Sequence, residues 1–230
     1  MTPIVRADRH EADRRSVRES KTMTKSVIEN ITIRPETPKD YRETEEMVRH
    51  AFWDVYKPGC DEHFIIHKLR ESPAFVKDLD LVACDGDRIV GVVICPKAKI
   101  RNEQNREFTV LSLIVSVLPA YQNKGIGSAL IKKAIDEARS LGFKAIVLFG
   151  SPEYYRRFGF RNAKEYGIQT SDGENFDPFM ALELDKDSLN GISGRFYEDQ
   201  AYDSEKDELE SFEKEFPYRE KHVTDTQLKI

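Results

Sequence analysis

Cysteine is scarce in this chain of 230 residues: Cys60, Cys84 and Cys95 are odd in number and have no CxxC spacing. That excludes the disulfide framework of a small secreted domain and a paired CxxC metal site. Each reads as a buried small hydrophobe with a reduced thiol, the expectation for a cytoplasmic protein. No apolar run approaches the length needed to cross a bilayer, so no membrane partner is expected. Positive charge is not in excess either. Lys and Arg number 36 against 41 Asp and Glu, a net charge of -5, which argues against general nucleic-acid binding. There is no internal repeat. The first 29 residues have no apolar h-region and too many acids for a mitochondrial leader, so they read as a disordered segment, 1–29, with Met23 as a second candidate start.

What is present suffices for a real core: 39% hydrophobic and 10% aromatic residues, under a well-charged surface. Ile31-Thr32-Ile33 alternates as a short first strand. Thr37-Pro38-Lys39-Asp40 has the order of a helix start, with Thr37 as N-cap, Pro38 first in the helix and Asp40 closing a capping box. A second helix is expected over Glu62 to Arg70, after the break at Pro58-Gly59. Leu79 to Cys84 and Arg88 to Ile100 read as strands of a hairpin turning at Asp85-Gly86-Asp87. Phe108 to Val117 returns as a third strand. Three antiparallel strands after two helices rule out a doubly wound Rossmann sheet. Gly127 to Leu141 is an amphipathic helix ended by Gly142, followed by strands over Lys144 to Phe149 and Phe179 to Leu184. The divisions expected are 1–29, a domain over 30–185, and an acidic extension over 186–230. In that extension, Ser204 to Glu215 forms a candidate docking helix with Leu209, Phe212 and Phe216 on one side.

The third strand and the amphipathic helix meet at Val115-Ser116-Val117-Leu118-Pro119-Ala120-Tyr121-Gln122-Asn123-Lys124-Gly125-Ile126-Gly127-Ser128. A helix N-terminus carries free N–H groups and about half a positive charge, and glycines let an anion approach the backbone. The stretch is therefore a phosphate cradle. It is not a P-loop, because no Lys-Ser/Thr follows the glycines, and not a dinucleotide fingerprint, because Leu130 replaces the third glycine. The longer pattern is Val117-x-Pro119-x-x-Gln122-x-x-Gly125-x-Gly127, which resembles the V-x-P-x-x-[RQ]-x-x-G-x-[GA] motif of the GNAT superfamily of acyl-CoA-dependent N-acetyltransferases at every defined position. Tyr155-Arg156-Arg157-Phe158-Gly159-Phe160 matches a second family feature, Y-x-x-x-G-F. The order of elements from Ile31 to Leu184 is also similar.

The resemblance implies an α+β, sandwich-like fold: a mixed central sheet of about 6–7 strands, mostly antiparallel with one parallel splayed pair, flanked by helices. It implies acetyl-CoA as acyl donor, with the pyrophosphate on backbone N–H groups of Gln122, Asn123, Lys124, Gly125, Ile126, Gly127 and Ser128. Lys124 is either a point charge at the rim or an ordinary solvated lysine. Pantetheine would run along Val115, Ser116 and Val117, and one of their N–H groups would polarise the thioester carbonyl. Tyr155 is the expected general acid for the CoA thiolate. Adjacent Tyr154 is the alternative, and the spacing to Gly159-Phe160 favours Tyr155. The strand before the cradle offers no carboxylate, so the base is left to a water chain or to the first helical region, which holds Asp61, Glu62, His63 and His67. His63 and His67 are four apart, but Glu62 precedes the first, so the HExxH order fails and no metal is expected. Two histidines on a surface helix is the default there. The implied partner is a small-molecule or peptide amine, and Asp61-Glu62 hints at a cationic one. The protein is expected to be a monomer or homodimer. A catalytically silent acyl-CoA-binding sensor or scaffold is the competing reading.

Overall fold

The computed structural model describes residues 30–225 and 227, so the reading of the first 29 residues lies outside the described part. Strand β1 (Ile31–Pro35) is followed by helices α1 (Tyr41–Phe52) and α2 (Glu62–Glu71). Strands β2 (Asp80–Asp85), β3 (Arg88–Ile94), β4 (Lys97–Arg101), β5 (Glu107–Leu111) and β6 (Ile114–Val117) lead into α3 (Ile126–Ser140). Then come β7 (Ala145–Phe149), the short α4 (Pro152–Tyr155), β8 (Arg161–Asn162), β9 (Ile168–Gln169), β10 (Phe179–Glu183), β11 (Gly194–Tyr197) and α5 (Lys206–Glu213).

The strands form two arms. One has the order β1-β2-β3-β6 and the other β8-β10-β7-β5-β4-β11-β9. Pairing is antiparallel apart from β5 with β7 and β11 with β9. The fold expected from the resemblance is the fold present, with β9–β11 as a second parallel pair.

Two expected strands are each divided between the arms. Arg88 to Ile100 breaks at Cys95-Pro96, and Phe108 to Val117 breaks at Ser112-Leu113. Pro96 has no N–H to give to a ladder. The first halves of the two runs do not pair with each other: β3 pairs with β6, and β4 pairs with β5. The parallel contact of β5 with β7 is at Leu111 and Ile146, so β6 diverges from β7 beyond it. That divergence opens the cleft on which the site depends.

The first helix starts at Tyr41 rather than Pro38. Thr37 to Asp40 forms a turn ahead of it, in which Asp40 accepts from the Thr37 N–H (2.8 Å) and hydroxyl (2.7 Å) and is clasped by Arg34. The main core fills the space between α3 and the sheet with Leu130, Ile131, Ala134 and Ala138 against Val92, Ile146 and Leu148. On its other side the sheet packs against α1, and α2 packs on α1 with Ile66 reaching the same core.

Beyond Asp185, β11 joins β4, and α5 docks on α2 through its Phe212, with Phe216 just after the helix, against Phe64. His63 is not at the surface. It is fully buried between Phe212 and Phe216, with Nε2 2.7 Å from Glu213, which also grips Arg49. The tail continues over the α1–α2 loop, where Trp53 Nε1 donates to Glu220 O (2.9 Å) and Asp54 meets His222.

Candidate functional site

The cradle is built by backbone conformation. Pro119 opens a single 3-10 turn, Pro119–Tyr121. Asn123 (φ 59) and Gly125 (φ 87) are then both left-handed, which swings successive N–H groups to one side. Gly125 sits at the N-cap with no side-chain cap, and the first turn of α3 has no acid. The N–H groups at that helix start are thus unneutralised by the chain and suit an anion. They face a cavity of about 490 Å3 lined by Val117, Gln122, Asn123, Gly127, Tyr154 and Arg157, among others. Gln122 Nε2 donates to Val117 O (3.0 Å) and ties the loop to the end of β6.

Val117, the last residue of β6, joins this cavity to the strand edge. Leu118 N–H donates to Val90 O (3.0 Å), and an antiparallel ladder alternates its bonds every second residue. Ser116, opposite Val92, therefore turns its N–H and C=O to β3. Val115 and Val117 turn theirs to the edge that β7 leaves open, where the Val117 C=O is taken by Gln122 Nε2. The expectation for Ser116 is corrected accordingly: its backbone is committed to β3, and its buried hydroxyl points to Met47. Val115 and Tyr155 are not in the cavity lining either, and of the expected loop residues Gln122 to Ser128 two stand apart from it. Lys124 Nζ donates to Ala120 O (2.8 Å) and lies over the Tyr121 ring, while the Ile126 side chain is 1% exposed in the core.

The two tyrosines face different ways. Tyr154 lines the cradle: a Cβ built on Gly127 would lie 3.0 Å from its hydroxyl. Arg157, one helical turn on, stacks over the Tyr154 ring at 3.9 Å. Tyr155 instead lies against Gly150, where a Cβ would stand 2.3 Å from its ring, and meets Phe160 edge-on at 5.6 Å. Its phenol is held well above the ordinary tyrosine value by burial, then by neighbouring Tyr154, Tyr56 and Cys95. A phenol so placed keeps its proton until a strong base needs it. Tyr154 and Arg157 were not anticipated as cradle residues. Their i, i+3 spacing next to a phosphate cradle was the available signal.

The acids and histidines after β1 are dispersed. Asp61 pairs with Lys57 and accepts from Ser204 (2.9 Å). His67 meets Glu45 at 2.9 Å, and His63 serves the α2–α5 contact. Glu62 is raised by burial. Among the described residues, no group of three or more His, Cys, Asp or Glu is arranged to hold a metal ion.

Residues 39–160 match the model of the "Acetyltransferase (GNAT) family". The uncharacterized N-acetyltransferase YhbS of Escherichia coli K12 is 27% identical over 165 residues, covering 71% of this chain and 93% of that protein. The structure of the E. coli YhbS in complex with CoA superposes with a TM-score of 0.68 at 24% identity, over 76% of this chain and 93% of that one. A GNAT family acetyltransferase from Brucella melitensis, crystallised with acetyl-CoA, gives 0.62 at 28% identity, over 75% of this chain and 97% of that one.

Proposed function

The chain belongs to the GNAT acetyltransferase family, and we propose that it moves the acetyl group of acetyl-CoA directly onto a primary amine of a small-molecule or peptide acceptor. The observation that carries this reading is the open edge of β6 running in line with the uncapped start of α3. An extended pantetheine fits such an edge as a missing strand, and a pyrophosphate fits the helix start. The Brucella relative, named as a complex with acetyl-CoA, supports the choice of ligand.

The N–H groups of Gln122 to Ser128 hold the pyrophosphate, and Arg157 adds a fixed cation beside it. Val115 and Val117 hold the pantetheine, and one of their N–H groups polarises the thioester carbonyl. Tyr155 gives its proton to the departing thiolate. The three cysteines, all buried and unpaired, fit a reducing compartment, so the proposed setting is the cytoplasm.

The test is thiol release from acetyl-CoA over a panel of amines with Tyr155→Phe alongside the parent. We expect kcat to fall about 100-fold with the acetyl-CoA Kd unchanged. Equal turnover by the variant would remove Tyr155 from the mechanism, and binding without turnover by the parent would favour the silent module.

A further inference from the structure

The proposed transfer requires a neutral amine, and neither β5 nor β6 carries an acid beyond Glu107, which is spent on Lys99 and Arg101. A second cavity, of about 780 Å3, lies where the arms part. Tyr202 lines it, and its hydroxyl is 2.9 Å from Ser112 Oγ, in the break between β5 and β6. Glu198, just past β11, lines the same cavity. Its neighbour Asp199 is occupied as acceptor from the Ser72 hydroxyl and the Ala201 N–H. Among the described residues, the Glu198 carboxylate has neither a hydrogen bond nor an ion pair. Glu198 is exposed to the cavity, and its charge acts on the Tyr202 phenol, so a free carboxylate stands beside the strand break and open to an incoming ligand.

We infer that this cavity receives the acceptor amine and that Glu198 is the base that takes a proton from its ammonium group. The inference rests on the acetyl-transfer reading above. In the step, the carboxylate removes one proton from R–NH3+, and the freed lone pair forms the C–N bond to the thioester carbonyl. The C–S bond breaks, the thiolate takes the Tyr155 proton, and the nitrogen's surplus proton restores the phenol. Glu198 returns its proton to solvent.

The surroundings suit this role. Facing Glu198 in the cavity are Tyr202 and Asp203 from the following turn and Lys97, Lys99 and Arg101 from β4. Lys99 and Arg101 are paired with Glu107 at 2.9 Å and 2.6 Å. Crowding by protein, and then the Asp203 carboxylate, push Glu198 up to about 7. A base of that strength is half ionised near neutrality and still accepts a proton readily. An adjoining cavity of about 560 Å3, which shares Asp199 and Asp203, adds Glu71, Glu205 and Glu208 against Lys68. That balance draws in a cationic acceptor.

The experiment compares two probe amines, n-butylamine, which is cationic at neutral pH, and hydroxylamine, which is neutral there. With the parent, kcat/KM for n-butylamine should rise through an apparent pKa near 7, because the ionised carboxylate is the active form. Glu198→Gln should lower it about 100-fold and remove that limb, while hydroxylamine turnover stays within about twofold. Unchanged acetyl-CoA affinity would show that the variant is folded. An equal loss with both amines, or a retained limb in Glu198→Gln, overturns the assignment of Glu198. No turnover of either amine by the parent overturns the transfer reading and this inference with it.

Discussion

Gly150 and Tyr155 form one unit: the ring of the second occupies the space a side chain on the first would need. Gly150→Ala should therefore displace the phenol and leave the cradle intact. We expect kcat to fall about 10- to 100-fold, since small misplacements of a reacting group are costly, with acetyl-CoA affinity retained. Steady-state kinetics beside a binding titration checks this, and unchanged kcat would contradict the packing. Asp80 makes a different prediction at the same scale. It is 1% exposed beside Glu36, which is bound to Arg70. Burial and then Glu36 hold the Asp80 carboxyl far above the usual carboxylate range, so it stays protonated. The folded state then binds more protons than the unfolded state, and stability falls as pH rises from the ordinary carboxylate range through neutrality. Asp80→Asn keeps a neutral donor toward Glu36 and should stabilise the protein by about 1–3 kcal/mol at pH 8, with the gain shrinking toward acid. Urea melts at the two ends of the range would show it.

Among the elements, the helix after the cradle was the most legible. Its apolar period is unbroken, and Gly142 ends it as the pattern implies, with the Gly142 N–H bonded to Arg139 O and Phe143 N–H to Ala138 O. The strand breaks at Cys95-Pro96 and Ser112-Leu113 were not legible. Both lie inside stretches with strand-like patterning, and the division is made by partners far along the chain, β6 with β3 and β5 with β7. Periodicity reports burial, and burial does not mark the breaks: β3 is buried, β4 alternates between buried and exposed, and β5 and β6 are buried in part. His63 was misplaced for a related reason: its cover, α5, arrives about 150 residues later. That contact carries a pH dependence. Burial pushes His63 down to about 4 from its ordinary 6.5, so the unfolded state binds more protons between those values. Docking of α5 should weaken as pH drops through that window. Hydrogen exchange corrected for intrinsic rate should show faster opening of residues 206–213 at pH 5 than at pH 7, with β3 unchanged. Equal protection at both values would contradict it.

At the scale of the whole molecule, the cradle motif was readable because it is local: one strand end, one turn and one helix start lie within a dozen residues. The acceptor side was not, because it is assembled from distant pieces. Ser112, Tyr202 and Glu198 meet only after β11 has joined β4 and the following turn has packed on α2. The tail that follows then braces α1, α2 and their loop through Arg49, Trp53 and Asp54. The cradle is probed by calorimetric titration of acetyl-CoA into the parent and into Gly127→Glu. Gly127 is helical without a left-handed φ, and its nearest obstacle is the end of the Tyr154 side chain, so the fold should survive the change. Anion capture at this helix start requires one-site binding by the parent and loss of binding, at least about 100-fold in Kd, when a carboxylate enters the cradle. Equal affinity in the folded variant, or no binding by the parent, would contradict it.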